Sequence, residues 1–479
     1  MQRELLKHLD RLIEQKRTPS QIRLELMNLG FSASEVEDAL EHRGATASRT
    51  AQDKRHATIY FLKECFDRLG YGFGATPLVN ILFYLLSQNL FLVGTIVGLR
   101  NTFTLLLSSF IQSFSTSGYK NKKLISTGGY LYGFSFLLMA LAFVLGKPLL
   151  FAVAFFIAGA GLVIYGDLSY FLMHATLRKE RAPPSLRHLW RYGIFLSAAA
   201  LFAATYLLDA FPIQHTTATT NISLASLHLH LSGYTLIFLF TAISFIISGF
   251  LISLVKPPRT SEQQPHHILR EYAHSVKESL RVFRRGPYVK LLFTATLLTG
   301  LVHILGSAFY GIFIYETFKK SYLLGFLNVG IVYAPAVLLA FIGPYFSRKV
   351  RHAIGLAPTL VFGTLLTAFL PAVLYFKPLL PNIVVANGLA VIGSAMVGVS
   401  QDLLAKKILH EKEREHYYRA SSSLLTLPYL ILIPLGAYAV QEAGIAGMGI
   451  FFAGLAGILA FLVAPLYFIL VALGNKERL

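Results

Sequence analysis

Twelve apolar stretches, each twenty or more residues long, run between residues 59 and 472 with short polar segments between them. A hydrocarbon core of about 30 Å needs about 20 apolar residues of helix to cross it. The pattern therefore predicts membrane spans at 59–86, 89–115, 124–145, 148–174, 192–212, 232–255, 289–316, 322–346, 353–376, 382–405, 421–440 and 447–472. The basic positions are not shared evenly between the intervening segments. Counting alternate segments, and leaving out the N-terminal tail, 26 Lys and Arg fall on one side and only Lys147, Lys319, Lys320 and Lys377 on the other. By the positive-inside rule this split predicts that both termini face the cytoplasm and that the chain is a multi-pass protein of the cell membrane.

Composition narrows the classes. With 54% hydrophobic and 14% charged residues and a mean hydropathy of +0.57, an ordinary soluble protein is excluded. The net charge of +19 is not a nucleic-acid footprint. The first 58 residues carry ten basic against nine acidic side chains, so the excess sits in the loops, where it sets topology and meets anionic lipid. No nucleic-acid partner is expected. Cys65 is the single cysteine, which excludes an internal disulfide framework. No secretory leader opens the chain, so the first span is expected to direct insertion. No P-loop or catalytic triad appears, and we expect no enzyme, no cofactor and a monomer.

Ahead of the spans, residues 1–45 read as three short helices. Thr18-Pro19-Ser20 forms a helix start, Gly30 a stop and Ser34 a cap. The stretch Leu26-Met27-Asn28-Leu29-Gly30-Phe31-Ser32, with Val36, Ala39 and Leu40, resembles a UBA-like three-helix module, which implies a docking site for a protein partner. A small bundle that only covers the membrane face is the alternative. Residues 46–58 lack periodicity and read as a flexible linker.

The spans divide six and six, at 59–255 and 289–472, around a long basic segment 256–288, with a short tail at 473–479. In that segment Ile268, Leu269, Tyr272, Val276, Leu280 and Phe283 follow at helical spacing, the pattern of an amphipathic helix on the inner leaflet. The halves echo one another. Val97-Gly98 and Phe114-Ser115 recur 232 positions on as Val329-Gly330 and Phe346-Ser347, and Lys179-Glu180-Arg181 recurs 233 on as Lys412-Glu413-Arg414. A duplicated six-helix unit is how one class of secondary transporter is built.

On these features residues 59–472 resemble the major facilitator superfamily, which implies an all-α polytopic fold of two six-helix bundles. That family carries a loop motif, in outline G-x-L-A-D-R-x-G-R-R, after its second and eighth helices. Here Gly343 to His352 keeps the Gly, Arg348 and Arg351, while Ile111 to Gly118 keeps only Gly118, and the motif Asp is Ser115 and Ser347. The resemblance makes Gly118, Gly343, Arg348 and Arg351 gating-loop residues, without the usual acidic latch. The Gly159-Ala-Gly161 run is also similar to the family.

Ionisable groups within spans cost several kcal/mol and need a use. Arg100, followed by Asn101, lies deep in the second span and calls for a carboxylate, a carbonyl cluster or a water-filled cavity. Glu64, Asp67, Arg68 and Tyr71 share one face of the first, and the string is similar to the E-x-x-E-R-x-x-Y motif of proton-coupled oligopeptide transporters. Asp167 in the fourth span has no oppositely charged neighbour in sequence, which points to Arg100 or Arg68 as its partner. His303 stands mid-span in the seventh, beside Thr296 and Thr299, as a group able to bind substrate or carry a proton, or simply to bond between helices. Asp402 is explained by Lys406 four residues on. His228 and His230 lack the further ligands a metal site needs, so none is expected.

The reading is a secondary transporter working by alternating access on a small solute, with the proton as coupling ion and Arg100 favouring an anionic or zwitterionic substrate. A transporter-shaped receptor that recruits a partner through its N-terminal module, or a lipid translocator, remains open.

Overall fold

The computed structural model describes residues 55–113, 122–176, 184–211, 220–224, 227–256, 287–323, 325–409 and 411–476, and singly 8, 9, 12, 22, 26, 36, 272, 277 and 281. Nearly everything described is helix. We number the long helices α1 (Arg55–Ser87), α2 (Leu90–Ser113), α3 (Lys122–Val144), α4 (Pro148–Thr176), α5 (Pro184–Ala210), α6 (Gly233–Ser253), α7 (Pro287–Phe318), α8 (Leu327–Ile354), α9 (Leu356–Phe376) and α10 (Leu380–Ile408). One two-stranded hairpin interrupts them, with β1 (Thr220–Leu224) antiparallel to β2 (Leu227–Leu231) and Asn221 opposite His230.

Among the described residues, eleven helices are long and apolar enough to cross a membrane. The last of them, Ser421–Ala472, has 52 residues. At 1.5 Å per residue that is about 78 Å, more than twice a hydrocarbon core. Gly444 resolves the excess. Its φ of 62° and ψ of −173° break the helix, a conformation glycine adopts without the steric cost of a Cβ. We call residues 411–443 α11 and residues 445–476, which include a π-helical stretch at Ile458–Val463, α12. Contacts along α7 show that these legs run antiparallel. Tyr429 on α11 donates to the Leu297 carbonyl, Phe452 on α12 meets Tyr310 and Phe313 farther along, and Tyr467 comes back level with Thr296 through Gln401. The segment is a helical hairpin.

Close backbone approach across the bundle is set by glycines. A Cβ at Gly129 would lie 2.9 Å from the Gly249 backbone, so α3 and α6 meet with nothing between them. Gly94 and Gly98 on α2 leave room for Phe309, Ala437 and Ile433, which seats α2 on α7 and α11. α1 is broken once, at Gly74-Ala75, ahead of Pro77, whose missing N–H and fixed φ favour a new first turn.

Gly343, Arg348 and Arg351, expected in a loop, lie instead in the last turns of α8. The reason is packing. Gly343 and Ser347 share a buried helical face, and Gly343 abuts the Ala395 methyl of α10. Arg351 and His352 then sit in the last turn, where cations suit the helix dipole, and Gly355 at φ 86° stops the helix. Gly118 lies outside the described residues.

In the N-terminal region Leu9, Leu12, Ile22, Leu26 and Val36 are helical and form a buried cluster of their own. His8 is helical as well, and the rest of residues 1–54 lies outside the described residues. Tyr272, in the segment expected on the membrane surface, is helical and turned to protein: its hydroxyl bonds Ser423 at 2.8 Å and its ring meets Phe110 edge-on.

Candidate functional site

Two polar centres occupy equivalent places in the two halves. The first is built from α1, α4 and α6. Lys63 and Asp67 are one turn apart, 6% and 4% exposed, and form a 2.8 Å ion pair. The Asp67 Oδ1 also accepts from the Tyr165 hydroxyl at 2.8 Å and the Ser248 hydroxyl at 2.5 Å. Ser248 also reaches the Lys63 carbonyl at 3.1 Å. Glu64 lies between Lys63, at 3.2 Å, and the half-exposed Arg68, at 3.6 Å. Tyr71 extends the same face and rests its ring on Phe245, which in turn meets Tyr132. The carboxylate of Asp67 is thus paired and hydrogen-bonded, the condition under which a charge survives burial.

Sequence reasoning found Glu64, Asp67, Arg68 and Tyr71 but not Lys63, Tyr165 or Ser248. Lys63 stands near the start of the span, where a lysine ordinarily reaches the interface. Only the packing of α4 and α6 over it closes that route.

The second centre is built from α7, α10 and α12. The Gln401 amide donates to the Thr296 hydroxyl at 3.1 Å and to the Tyr467 hydroxyl at 2.6 Å. The repeat offset of 232 carries Glu64, Asp67 and Tyr71 onto Thr296, Thr299 and His303, so the same face of the equivalent helix is neutral here. It is also hollow. A cavity of about 720 Å³ opens beside it, walled by α7, α8, α9 and α10. Among the described residues, the first half contributes only Thr76 and Pro77, at the break in α1. His303, Tyr310, Tyr333, Asn387 and Gln401 are the largest polar side chains in its wall, which also holds threonine and serine hydroxyls. Asn387 is fixed by a 3.0 Å bond to the Val332 carbonyl across the α8–α10 contact.

Of the sequence-predicted site residues, His303 alone lines this cavity. Arg100 is 7% exposed and stacks on Phe155, its guanidinium carbon 4.3 Å from the ring centroid. Its stem crosses Gly159, where a Cβ would sit 2.9 Å from Arg100 Cγ. It makes no ion pair among the described residues, and its Nε has no hydrogen-bond partner. Asp167 accepts instead from Ser108 at 2.6 Å, so the expected Arg100–Asp167 or Arg68–Asp167 pairing is not formed. Asn101 follows Arg100 on α2 and is half-buried, its carbonyl accepting from Thr104. Asp402 pairs with Lys406 at 2.7 Å, as the spacing predicts, and also accepts from Tyr418.

At the end away from the basic segments the halves are joined by polar contacts. Both Asp209 carboxylate oxygens, at the end of α5, accept from the backbone N–H groups of Phe326 and Leu327 at 2.7 Å, where α8 begins. Asn80 on α1 donates to the Ser307 carbonyl on α7, and Gln441 on α11 accepts from the Phe91 N–H on α2. Toward the basic end, α2 and α11 meet at Ser109 and Ser423.

This architecture has known counterparts. The sequence model of the Major Facilitator Superfamily matches residues 193–418. The nucleoside transporter NupG is 12% identical, with 88% of this chain and 98% of that one covered and a TM-score of 0.63. A bacterial homolog of the human lysosomal transporter Spinster, in an inward-facing and unoccupied conformation, is 14% identical with 90% and 98% covered and a TM-score of 0.58. A bacterial metal transporter aligns at 14% identity over 88% and 98%, with a TM-score of 0.54. No curated protein matches the sequence. The chain has the fold of the major facilitator transporters. Nothing in these comparisons supports a UBA-like module at residues 1–45.

Proposed function

We propose that the chain is a secondary active transporter that moves a small organic solute by alternating access. The solute binds in the second-half cavity, and the first-half charges handle a coupling proton. The observation that carries this reading is the cavity itself, about 720 Å³ and walled by hydrogen-bonding side chains. That volume suits a small molecule, and a pure scaffold has no use for it. The contacts between halves at Asp209, Asn80 and Gln441 support a state closed at the sparsely charged end. With the basic end cytoplasmic by the positive-inside rule, this is an inward-facing state with both termini inside. A paired, buried carboxylate that exchanges partners as helices shift can gain and lose a proton, which supports Asp67 as the coupling group. Arg100, on which an anionic or zwitterionic preference would rest, is not part of the cavity wall.

The test is counterflow and gradient-driven uptake in liposomes containing the full chain. Wild-type protein should accumulate its solute under an inward proton gradient. Asp67→Asn should abolish accumulation but keep solute exchange at equal pH within about threefold, because exchange requires no net proton movement. A protein that exchanges none of a broad panel of sugars, amines, amides, alcohols and organic acids would rule out transport and favour the receptor reading.

A further inference from the structure

Several hydroxyls in the cavity wall already have their protons committed, which says more than the cavity's volume. Thr296 and Thr299 donate their hydroxyl protons to the Leu292 and Ala295 carbonyls, at 2.9 and 2.7 Å. Ser307 and Thr367 do the same toward Ile304 and Gly363, each at 2.9 Å. All four residues line the cavity, and with their protons committed to backbone carbonyls their hydroxyls have only lone pairs left to offer. The amides follow the same rule. Because the Thr296 proton already goes to Leu292, its oxygen can only accept from Gln401, which fixes the Gln401 amide nitrogen toward Thr296 and Tyr467 and leaves its carbonyl oxygen for the cavity. Asn387 directs one N–H to the Val332 carbonyl and keeps its oxygen and second N–H. Tyr310, Tyr333 and His303 can donate or accept. Among the described residues, no Lys, Arg, Asp or Glu lines the wall.

We infer that this cavity selects organic solutes whose polar end is a hydrogen-bond donor (an amine, amide or hydroxyl) and rejects carboxylates and phosphates. An anion brings only acceptors. Within this wall it would meet no cationic side chain among the described residues, and the four committed hydroxyls would offer it only lone pairs, so much of its lost hydration would go uncompensated. A donor-bearing solute instead meets the side-chain oxygens of Gln401 and Asn387, while the Tyr310 and Tyr333 rings cover its apolar part and tolerate a positive charge. The inference rests on the cavity being the solute site.

A matched series tests it: 3-phenylpropylamine, 3-phenylpropanol, 3-phenylpropionamide and 3-phenylpropionate, each titrated against the purified full chain in nanodiscs and used in liposome counterflow. The amine, alcohol and amide should bind at least about tenfold tighter than the carboxylate, the equivalent of one hydrogen bond left unmade. The amine and the neutral members separate an ammonium-binding site from a neutral-donor site. Gln401→Glu, which replaces the amide nitrogen with a second oxygen and adds charge, should favour the amine over the alcohol by about a further tenfold. Ser394→Arg, which adds a donor to the wall without touching the Gln401 bonds, should bring the carboxylate level with the alcohol. Carboxylate binding equal to or tighter than the others, or no binding by any of the four, overturns the inference. Counterflow of the carboxylate alone overturns it while leaving transport intact; binding of the donors without counterflow of any member does the reverse.

Discussion

The two halves put the same three helices around the same point and fill it differently. In the first, α1, α4 and α6 close on Lys63 and Asp67, both buried and tied down by Tyr165 and Ser248. In the second, α7, α10 and α12 meet through Thr296, Gln401 and Tyr467, all neutral, beside an open cavity. A buried charge needs partners on every side, so the first centre must be tight. A neutral hydroxyl or amide needs one or two bonds, so the second can afford a wall with nothing behind it. The frame is alike in the two halves, and the difference in charge distinguishes a paired, buried centre from one beside an open cavity.

The largest effect should come from breaking the first centre on one side. Lys63→Met leaves Asp67 buried without its cation, which costs about 3–5 kcal/mol where such pairs are broken. Pairing that change with Asp67→Leu removes both charges and should recover most of the loss. Thermal unfolding of the purified protein in detergent reads both. The double variant also turns the first centre into a neutral one like the second, so it should keep solute exchange and lose proton-driven accumulation. If the single variant unfolds at the wild-type temperature, the pair is not a buried lock.

A smaller effect is expected when charge is put into the second centre. Thr299 holds the place of Asp67 but is half-buried and faces the cavity. Thr299→Asp should cost only about 1–2 kcal/mol, because water in the cavity reaches the new carboxylate. It should also shift the binding preference from the neutral alcohol toward the amine. A loss as large as that of Lys63→Met would mean that the two centres are equally dry and that the contrast drawn between them is false.

Much of the frame could be read from the chain, and the reasons are physical. Span length and apolar runs locate helices because the bilayer allows little else. Even the reversal at Gly444 falls in the gap between the last two apolar runs, although the helix itself is nearly continuous there. The charged face of α1 was visible because glutamate, aspartate and arginine are conspicuous in hydrocarbon. The cavity was not, because threonine, serine, glycine, tyrosine and asparagine are ordinary residues of membrane helices, and only their arrangement around an empty space distinguishes them. Arg100 misled for the same reason in reverse. Its charge drew attention, but its surroundings are Phe155, Gly159 and Tyr132 rather than a carboxylate. The α8 motif failed as a loop because the sequence pattern does not show Gly343 docked on Ala395.

The smallest expected effect marks the edge of the first centre. Arg68 is 32% exposed at its side chain and stands 3.6 Å from Glu64, with no part in the bonds to Asp67. A partly solvated pair of this kind contributes about 0.2–1 kcal/mol. Arg68→Gln should therefore leave thermal stability nearly unchanged and shift only the salt dependence of unfolding. Proton-driven accumulation decides its role. If coupling belongs to the Lys63–Asp67 lock, Arg68→Gln should retain at least about half of the wild-type uptake while Asp67→Asn retains none. If both variants lose it equally, the proton is handled along the whole face from Glu64 to Tyr71, and the lock is only its innermost part.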